Sequence, residues 1–170
     1  QRGSVFLHFD ESIEVDIIHF RSLIAQCETH GHHPSKVCPA CLPPLAEATN
    51  LYHGDFMKGF SLRDAAEFDN WQTLNDEILR QEIRQTLEKL VRGHRAQGEV
   101  EQAIHFARRL ITHDRFNEDI YRQIMILYTS TGQRTEAIQQ YRELAKLLQR
   151  DGLEPQPETT QLYHRVLNEK

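Results

Sequence analysis

The sequence predicts an all-α fold in which antiparallel helical hairpins repeat, preceded by a small β-hairpin and a polar loop. Three observations support this prediction. Apolar residues recur at helical spacing along most of the chain, a pattern of about 34 residues occurs twice, and no apolar run is long enough to cross a bilayer. Apolar residues make up 39 % and charged residues 26 % of the 170 residues, which is enough apolar surface for a packed core.

The first residues are typical of a strand. Residues 4–9 have the alternation and the aromatic content of a strand, and residues 10–12 indicate a turn. We expect residues 13–15 to form the partner strand, so that residues 1–15 make a β-hairpin. Because the chain begins with Gln1 and not with Met, we also expect it to be a piece of a longer protein.

Residues 16–60 are predicted to form a helical lead-in with two short helices. Asp16 is expected to cap the first, a helix of about eleven residues with one apolar face that ends near Gly31. Pro43 and Pro44 suit the first turn of the second helix, since their missing amides would have no partner there. The positions expected to be buried in this second helix are Leu45, Ala48, Leu51 and Tyr52.

A long helix is predicted over residues 64–97, and it ends before Gly98, which favours the left-handed conformation of a helix end. The apolar stripe of its second half is Ile83, Leu87, Leu90 and Val91. The apolar residues of its first half are Phe68, Trp71, Leu74 and Ile78. Because these four also recur at helical spacing, we expect them to lie in the core, and we expect Trp71 to be a core residue and not a ligand platform.

The last third of the chain repeats with a period of about 34 residues. The equivalent pairs are Gly98 and Gly132, Ala103 and Ala137, and Leu110 and Leu144. Two helices per period, with a small residue where they cross, are typical of tetratricopeptide repeats (TPR). Residues 61–170 are therefore predicted to form TPR-like antiparallel repeats, and a helix over residues 158–167 is expected to cap them.

All three cysteines lie within residues 27–41, together with three histidines. Cys38 and Cys41 have the spacing of a zinc knuckle, in which two thiolates on one turn bind a single ion at about 2.3 Å. Cys27 and His30 are three residues apart on the preceding helix and therefore lie on the same side of it. We predict one structural zinc ion, bound by Cys27, His30, Cys38 and Cys41.

Two alternatives remain open for this loop. His32 competes with His30 as the histidine ligand, and His33 is a further competitor, because sequence does not distinguish three neighbouring histidines. The second alternative involves no metal: Cys27 is then a buried helix residue, the other two cysteines are reduced thiols and the histidines are solvated.

Composition and motifs restrict the function classes. The formal net charge is −5, from 20 basic and 25 acidic residues, whereas a chain that binds many phosphates is usually basic. The sequence contains no phosphate-binding loop, no serine hydrolase elbow and no zinc protease motif, so we expect no enzyme activity. Three cysteines are an odd number, which argues against a disulfide-built secreted domain and favours a cytoplasmic location.

Several short motifs follow one another in order from Leu51 to the C-terminus. They are LYHGDF at 51–56, EFDNW at 67–71, the repeat core at 103–110, GQRTEA at 132–137 and GLEPQPET at 152–159. In this order they resemble the bacterial transcriptional activator domain. That domain is the helical module of the antibiotic-pathway regulators called SARPs and of large signalling regulators. The loop with the cysteines and histidines resembles a variant found in large multidomain regulators.

The resemblance implies a regulatory module of a transcription factor. In such proteins a winged helix-turn-helix domain comes first, so residues 1–15 would be the end of its wing, and DNA would be bound only through that upstream domain. The helical module would contact proteins by self-association, or through other regulator domains or RNA polymerase, without a membrane partner. The alternative function is a free-standing TPR adaptor that binds peptide segments of partner proteins.

Overall fold

The computed structural model describes residues 13–33 and 36–168, and the helices of this part of the chain are seven α-helices and two short 3₁₀ turns. The α-helices are α1 (Asp16–Gln26), α2 (Leu42–Leu51), α3 (Ala66–Ala96), α4 (Val100–His113), α5 (Glu118–Ser130), α6 (Arg134–Arg150) and α7 (Pro157–Asn168). The 3₁₀ turns, Cys27–His30 and Pro39–Cys41, lie between α1 and α2. No strand occurs among the described residues, so the all-α prediction is confirmed for them.

The predicted β-hairpin is not supported. Residues 13–15, its expected second strand, form no strand, and residues 4–9 lie outside the described part of the chain. Val15 is instead the residue before α1, and its carbonyl accepts a hydrogen bond from the N–H of His19 at 3.0 Å. The capping role expected for Asp16 is also wrong. Asp16 is the first helical residue, and its carboxylate accepts a hydrogen bond from the N–H of Ile17 at 2.7 Å.

Consecutive helices pack against one another from α1 to α7, and α7 also contacts α5. α3 pairs with α4 and α5 pairs with α6, which is the arrangement of two successive helical hairpins. The largest apolar core extends from Phe20 in α1 to Val166 in α7, so the lead-in and the repeats share it. Among the helices of the described residues, none combines the length and the apolar character that a bilayer crossing requires.

The 34-residue period is visible in the backbone as well as in the side chains. At the end of α3 the N–H of Glu99 donates to the carbonyl of His94, and at the end of α5 the N–H of Gln133 donates to the carbonyl of Tyr128, both at 2.9 Å. The glycines just before these two donors have φ angles of +76° and +74°, in the left-handed region that ends a helix. The equivalent sequence signals therefore produce equivalent helix ends.

Burial departs from the prediction in the first half of α3. Trp71, Leu74 and Ile78 are 47 %, 60 % and 39 % exposed, so this face is not part of the core. The rings of Phe56 and Phe68 contact the ring of Trp71, with centroid distances of 5.3 and 5.6 Å. Expecting Trp71 in the core was therefore wrong.

Helix length explains this exposure. α3 has 31 residues and α4 has 14, which correspond to roughly 46 and 21 Å at about 1.5 Å per residue. α4 can therefore pair with only about half of α3. The fully buried apolar residues of α3, Ile83, Leu87 and Leu90, all lie in the half that α4 reaches.

The crossings inside the repeats give a prediction for stability. Ala103 and Ala137 are fully buried, as the sequence predicted, so there is no space for a larger side chain at either position. Substituting leucine at either position should lower the free energy of unfolding by about 1–3 kcal/mol, because overpacking forces neighbouring side chains off their rotamers. Urea denaturation of both variants measures this loss. Gln102→Leu, at an exposed neighbouring position, is the control, and equal stability of all variants would contradict the packing.

Candidate metal centre

Two 3₁₀ turns bring the cysteines and histidines of the polar loop together. The turn Cys27–His30 continues α1, and Gly31 then takes a φ of +69°, which reverses the chain direction before His32. The turn Pro39–Cys41 leads into α2, and the N–H of Cys41 donates to the carbonyl of Cys38 at 3.0 Å. The two turns contact each other, so side chains from both sides of the loop converge.

Four donor atoms meet at this point. One donor atom each from His30, His32, Cys38 and Cys41 lies within 4.8 Å of all the others. The sulfur of Cys41 is 3.1 Å from His30 Nδ1, 3.0 Å from His32 Nε2 and 3.5 Å from the sulfur of Cys38. Cys38 Sγ is 3.4 Å from His30 Nδ1. The cluster therefore contains two imidazole nitrogens and two sulfurs.

These distances are close to those of a tetrahedral zinc site. With Zn–S bonds of about 2.3 Å and Zn–N bonds of about 2.0 Å, the ligand atoms of a tetrahedron lie roughly 3.3–3.8 Å apart. The four measured separations, from 3.0 to 3.5 Å, are only slightly shorter. No carboxylate belongs to this cluster of described residues, so its four donors match a closed structural site.

Cys27 lies next to the cluster and is not one of its four converging donors. Its side chain is 7 % exposed and belongs to the main apolar core together with Phe20 and Leu23. Its sulfur lies 3.8 Å from the backbone carbonyl oxygen of Cys41. The structure thus brings together three of the four predicted ligands, His30, Cys38 and Cys41, and adds His32, the alternative ligand.

The two cysteines of the knuckle have different acidities. Burial raises the pKa of the Cys41 thiol to about 12, and the neighbouring Cys38 and Cys27 side chains add to the effect. Partial burial acts to raise the pKa of Cys38 as well, but hydrogen bonds to its sulfur from Cys41 and the Ala40 backbone outweigh it, so that pKa is lowered. A divalent cation would compensate the second thiolate charge, which burial otherwise disfavours.

A second cluster of charged residues lines a polar cleft between the end of α2, α3 and α4. The cleft has a volume of about 630 Å³ and is lined by Arg80, Arg84 and Arg109, among others. Arg80 binds the carboxylates of Asp55 and Asp76 at 2.8 and 3.0 Å. Arg109 donates to the hydroxyl, 2.9 Å, and the carbonyl, 2.7 Å, of Thr49. These contacts join loop and helices, so the cleft serves the fold, a role that sequence reasoning did not assign to it.

The family model for the bacterial transcriptional activator domain matches residues 15–167. The chain belongs to this family. No significant match was found among curated proteins or among solved structures. The match includes the motifs that carried the resemblance, and it begins beside α1 and ends within α7.

Membership of the bacterial transcriptional activator domain family places the chain among transcription-related regulatory modules. The matched residues also include the loop with the cysteines and histidines.

The activator domain supports the cluster through one close contact. Gly93 lies in the interior of α3, and a β-carbon there would be 2.5 Å from Leu42 Cδ2 and 2.9 Å from Val37 Cγ1. Both distances are shorter than real β-carbon contacts, so a side chain at this position would force Leu42 or Val37 to shift, and glycine lets the loop approach the helix without such a shift. Val37 and Leu42 flank the knuckle cysteines in sequence, so both ends of the segment that carries Cys38 and Cys41 pack on α3.

This contact predicts that Gly93→Ala destabilises the domain. Alanine would favour helix formation by about 1 kcal/mol at an exposed position, but the two clashes should cost about 1–3 kcal/mol and decide the sign. Thermal and urea denaturation measure the difference. In a Val37→Ala background the same substitution should cost less, because one of the two clashes is relieved. A stabilised Gly93→Ala variant would show that the loop does not pack on α3 in this way.

Proposed function

We propose that this activator domain is a non-catalytic regulatory and protein-interaction module of a bacterial transcription regulator. The observation that carries the proposal is the family match over residues 15–167, since the family is regulatory and related to transcription. Its partners are protein surfaces: a second copy of the chain, other domains of the same regulator, or RNA polymerase. The module acts in the cytoplasm, where transcription takes place.

The charge of the chain supports contact with proteins and not with DNA. The formal net charge of −5 opposes the binding of phosphate backbones, which requires a surplus of Lys and Arg. In this proposal, DNA is bound through a separate domain of the parent protein, upstream of the activator domain.

An exposed apolar stripe supports a contact with protein. Trp71, Leu74 and Ile78 lie on one face of α3, and each is more than one-third exposed. Phe60 and Leu62, in the preceding loop, are also about half exposed. Several large apolar side chains exposed close together are typical of surfaces that bind other proteins. Trp is enriched among the residues that contribute most of the binding energy in such contacts.

The second part of the proposal is a structural zinc ion in the polar loop. The convergence of two imidazole nitrogens and two sulfurs supports it, since this donor set is characteristic of zinc. Cys27, Cys38 and Cys41 are common to the ligand sets considered from the sequence, which differ in whether His30 or His32 is the histidine. His30, Cys38 and Cys41 belong both to the predicted set and to the four converging donors, and Cys27 or His32 would be the fourth ligand.

The zinc proposal predicts about one zinc ion per chain in protein purified without added metal, and loss of that zinc in Cys38→Ser. Elemental analysis of both proteins measures this. Far-ultraviolet circular dichroism should show that most helix remains after metal removal, because most buried residues of the shared apolar core lie in α3 to α7. A zinc content below about 0.2 per chain in the unsubstituted protein would contradict the site and favour reduced thiols.

The regulatory proposal predicts that the chain acts when it is attached to another DNA-binding domain. The whole chain is fused to a DNA-binding domain that represses a reporter only as a dimer, and separately to one placed upstream of a weak promoter. Response of the first reporter shows self-association, and response of the second shows contact with RNA polymerase. Leu74→Glu should reduce the response to the level without the chain, because it places a charge in the exposed stripe.

The control for this experiment is Leu153→Glu. Leu153 is 53 % exposed and lies in the loop between α6 and α7, so the substitution adds the same charge at a comparable exposure. Neither substitution should alter stability by more than about 0.5 kcal/mol, as is usual for exposed positions. A response that both variants abolish, or that neither affects, would contradict the role of the stripe.

A further inference from the structure

We infer that the metal is bound by His30, His32, Cys38 and Cys41, and that Cys27 packs beside the site without binding the ion. This inference rests on the zinc site proposed above and specifies its ligands. It replaces the set predicted from the sequence, in which Cys27 was a ligand and His32 an alternative. The consequences for charge, for metal content and for each variant differ between the two sets.

The orientation of the His32 ring supports this ligand set. Its Nδ1 is 3.1 Å from the backbone carbonyl oxygen of His33, and a carbonyl oxygen only accepts hydrogen bonds. In neutral His32 the ring hydrogen is therefore on Nδ1, and the lone pair is on Nε2. That Nε2 is the atom 3.0 Å from the sulfur of Cys41. A histidine held by a carbonyl at one nitrogen, with the other nitrogen directed at the donor cluster, is the usual arrangement of a metal ligand.

The position of the Cys27 sulfur supports the same assignment. It lies 3.8 Å from the backbone carbonyl oxygen of Cys41, to which the Cys27 side chain donates, and it is not among the four donor atoms that converge. Cys27 also continues the buried face of α1 formed by Phe20 and Leu23. Cys27 therefore packs in the core and contacts the backbone of the turn that carries Cys41.

The net charge of the site also favours this ligand set. Two thiolates and two neutral imidazoles balance the charge of a divalent cation, whereas three thiolates and one imidazole leave a net charge of −1. Cys27 and Cys41 are 7 % and 1 % exposed, so the additional negative charge would be buried. Burial of a net charge is unfavourable unless a partner compensates it. Among the described residues, the hydrogen bonds of these two sulfurs involve no Lys or Arg, which favours the neutral set with two thiolates.

The path of the backbone between His30 and His32 also favours this ligand set. Gly31 takes the left-handed conformation between the two histidines, and both imidazoles then face the same cysteine, with ring centroids 6.0 Å apart. Outside a strand, a turn between the two histidines is needed to direct both rings to one point, and the left-handed conformation of Gly31 provides that turn here. The resulting pattern is His-x-His followed by Cys-x-x-Cys. His30 ends the first 3₁₀ turn and His32 follows it, whereas Cys38 precedes the second turn and Cys41 ends it.

Three variants of the whole chain test the inference. Cys27→Ser retains a hydrogen-bond donor for the Cys41 carbonyl and removes a possible thiolate ligand. His32→Ala removes the proposed fourth ligand. His19→Ala, a histidine of α1 whose side chain is half exposed and outside the cluster, is the matched control. Zinc content is measured by elemental analysis, and zinc affinity by competition with a chelating dye.

We expect Cys27→Ser and His19→Ala to keep about one zinc ion per chain, and His32→Ala to bind zinc at least about tenfold more weakly. Loss of zinc in Cys27→Ser together with retention in His32→Ala would overturn the inference and restore the predicted set. Absence of zinc from the unsubstituted chain would instead overturn the proposed zinc site itself. The two failures are therefore distinguishable.

A measurement on the unsubstituted chain makes the test independent of whether Cys27→Ser folds. Cobalt(II) substitutes for zinc in tetrahedral sites, and its thiolate-to-metal absorption in the near ultraviolet increases with the number of bound thiolates. Calibrated against peptides with two or three thiolate ligands, the intensity should correspond to two. An intensity that corresponds to three would establish Cys27 as a ligand and overturn the inference.

Discussion

The burial of one stripe of α3 is the interaction on which both parts of the domain depend. Ile83, Leu87 and Leu90 are fully buried in a core that contains residues of α1 and α2 as well as of α4. Each such side chain contributes about 1.5–3 kcal/mol when it is removed from water, so the three together match the net stability of a small domain. Without this stripe the first hairpin would lose its partner surface, and the polar loop would lose the helix against which it packs.

Two further contacts fix how the lead-in is placed on the repeats. At one end, Gly93 allows Val37 and Leu42 to reach the backbone of α3. At the other, the guanidinium of Arg109 in α4 donates to the hydroxyl and the carbonyl of Thr49 near the end of α2. Burial lowers the pKa of Arg109, but an arginine stays charged at any physiological pH, so these hydrogen bonds are not lost by deprotonation of the guanidinium. The polar loop is thus held between two attachments, and a metal ion there would order a segment whose ends are already fixed.

The sequence predicts those features that depend on local pattern. The helices of the repeats follow from apolar residues at helical spacing with glycine at the helix ends. The burial of Ala103 and Ala137 follows from the 34-residue period. The exposure of Trp71 did not follow, because periodicity shows that a helix has an apolar face but not whether a second helix reaches it. The fourth ligand posed the same problem. Cys27 belongs both to the apolar stripe of α1 and to the spacing of a zinc site, and only the tertiary position of its sulfur separates the two roles.

The exposed half of α3 has a physical advantage as a binding surface. Its apolar side chains stand on a continuous helix whose other half is locked in the core, so their backbone is already ordered before any partner arrives. Binding to such a surface avoids the cost of ordering a loop, which leaves more of the contact energy as affinity. The preceding loop is held to the same half of the helix, since Gln72 donates to the carbonyls of Phe56 and Met57 at 3.1 and 3.0 Å. Loop and helix therefore form one preorganised surface, and the core that stabilises the repeats also positions the stripe proposed to contact other proteins.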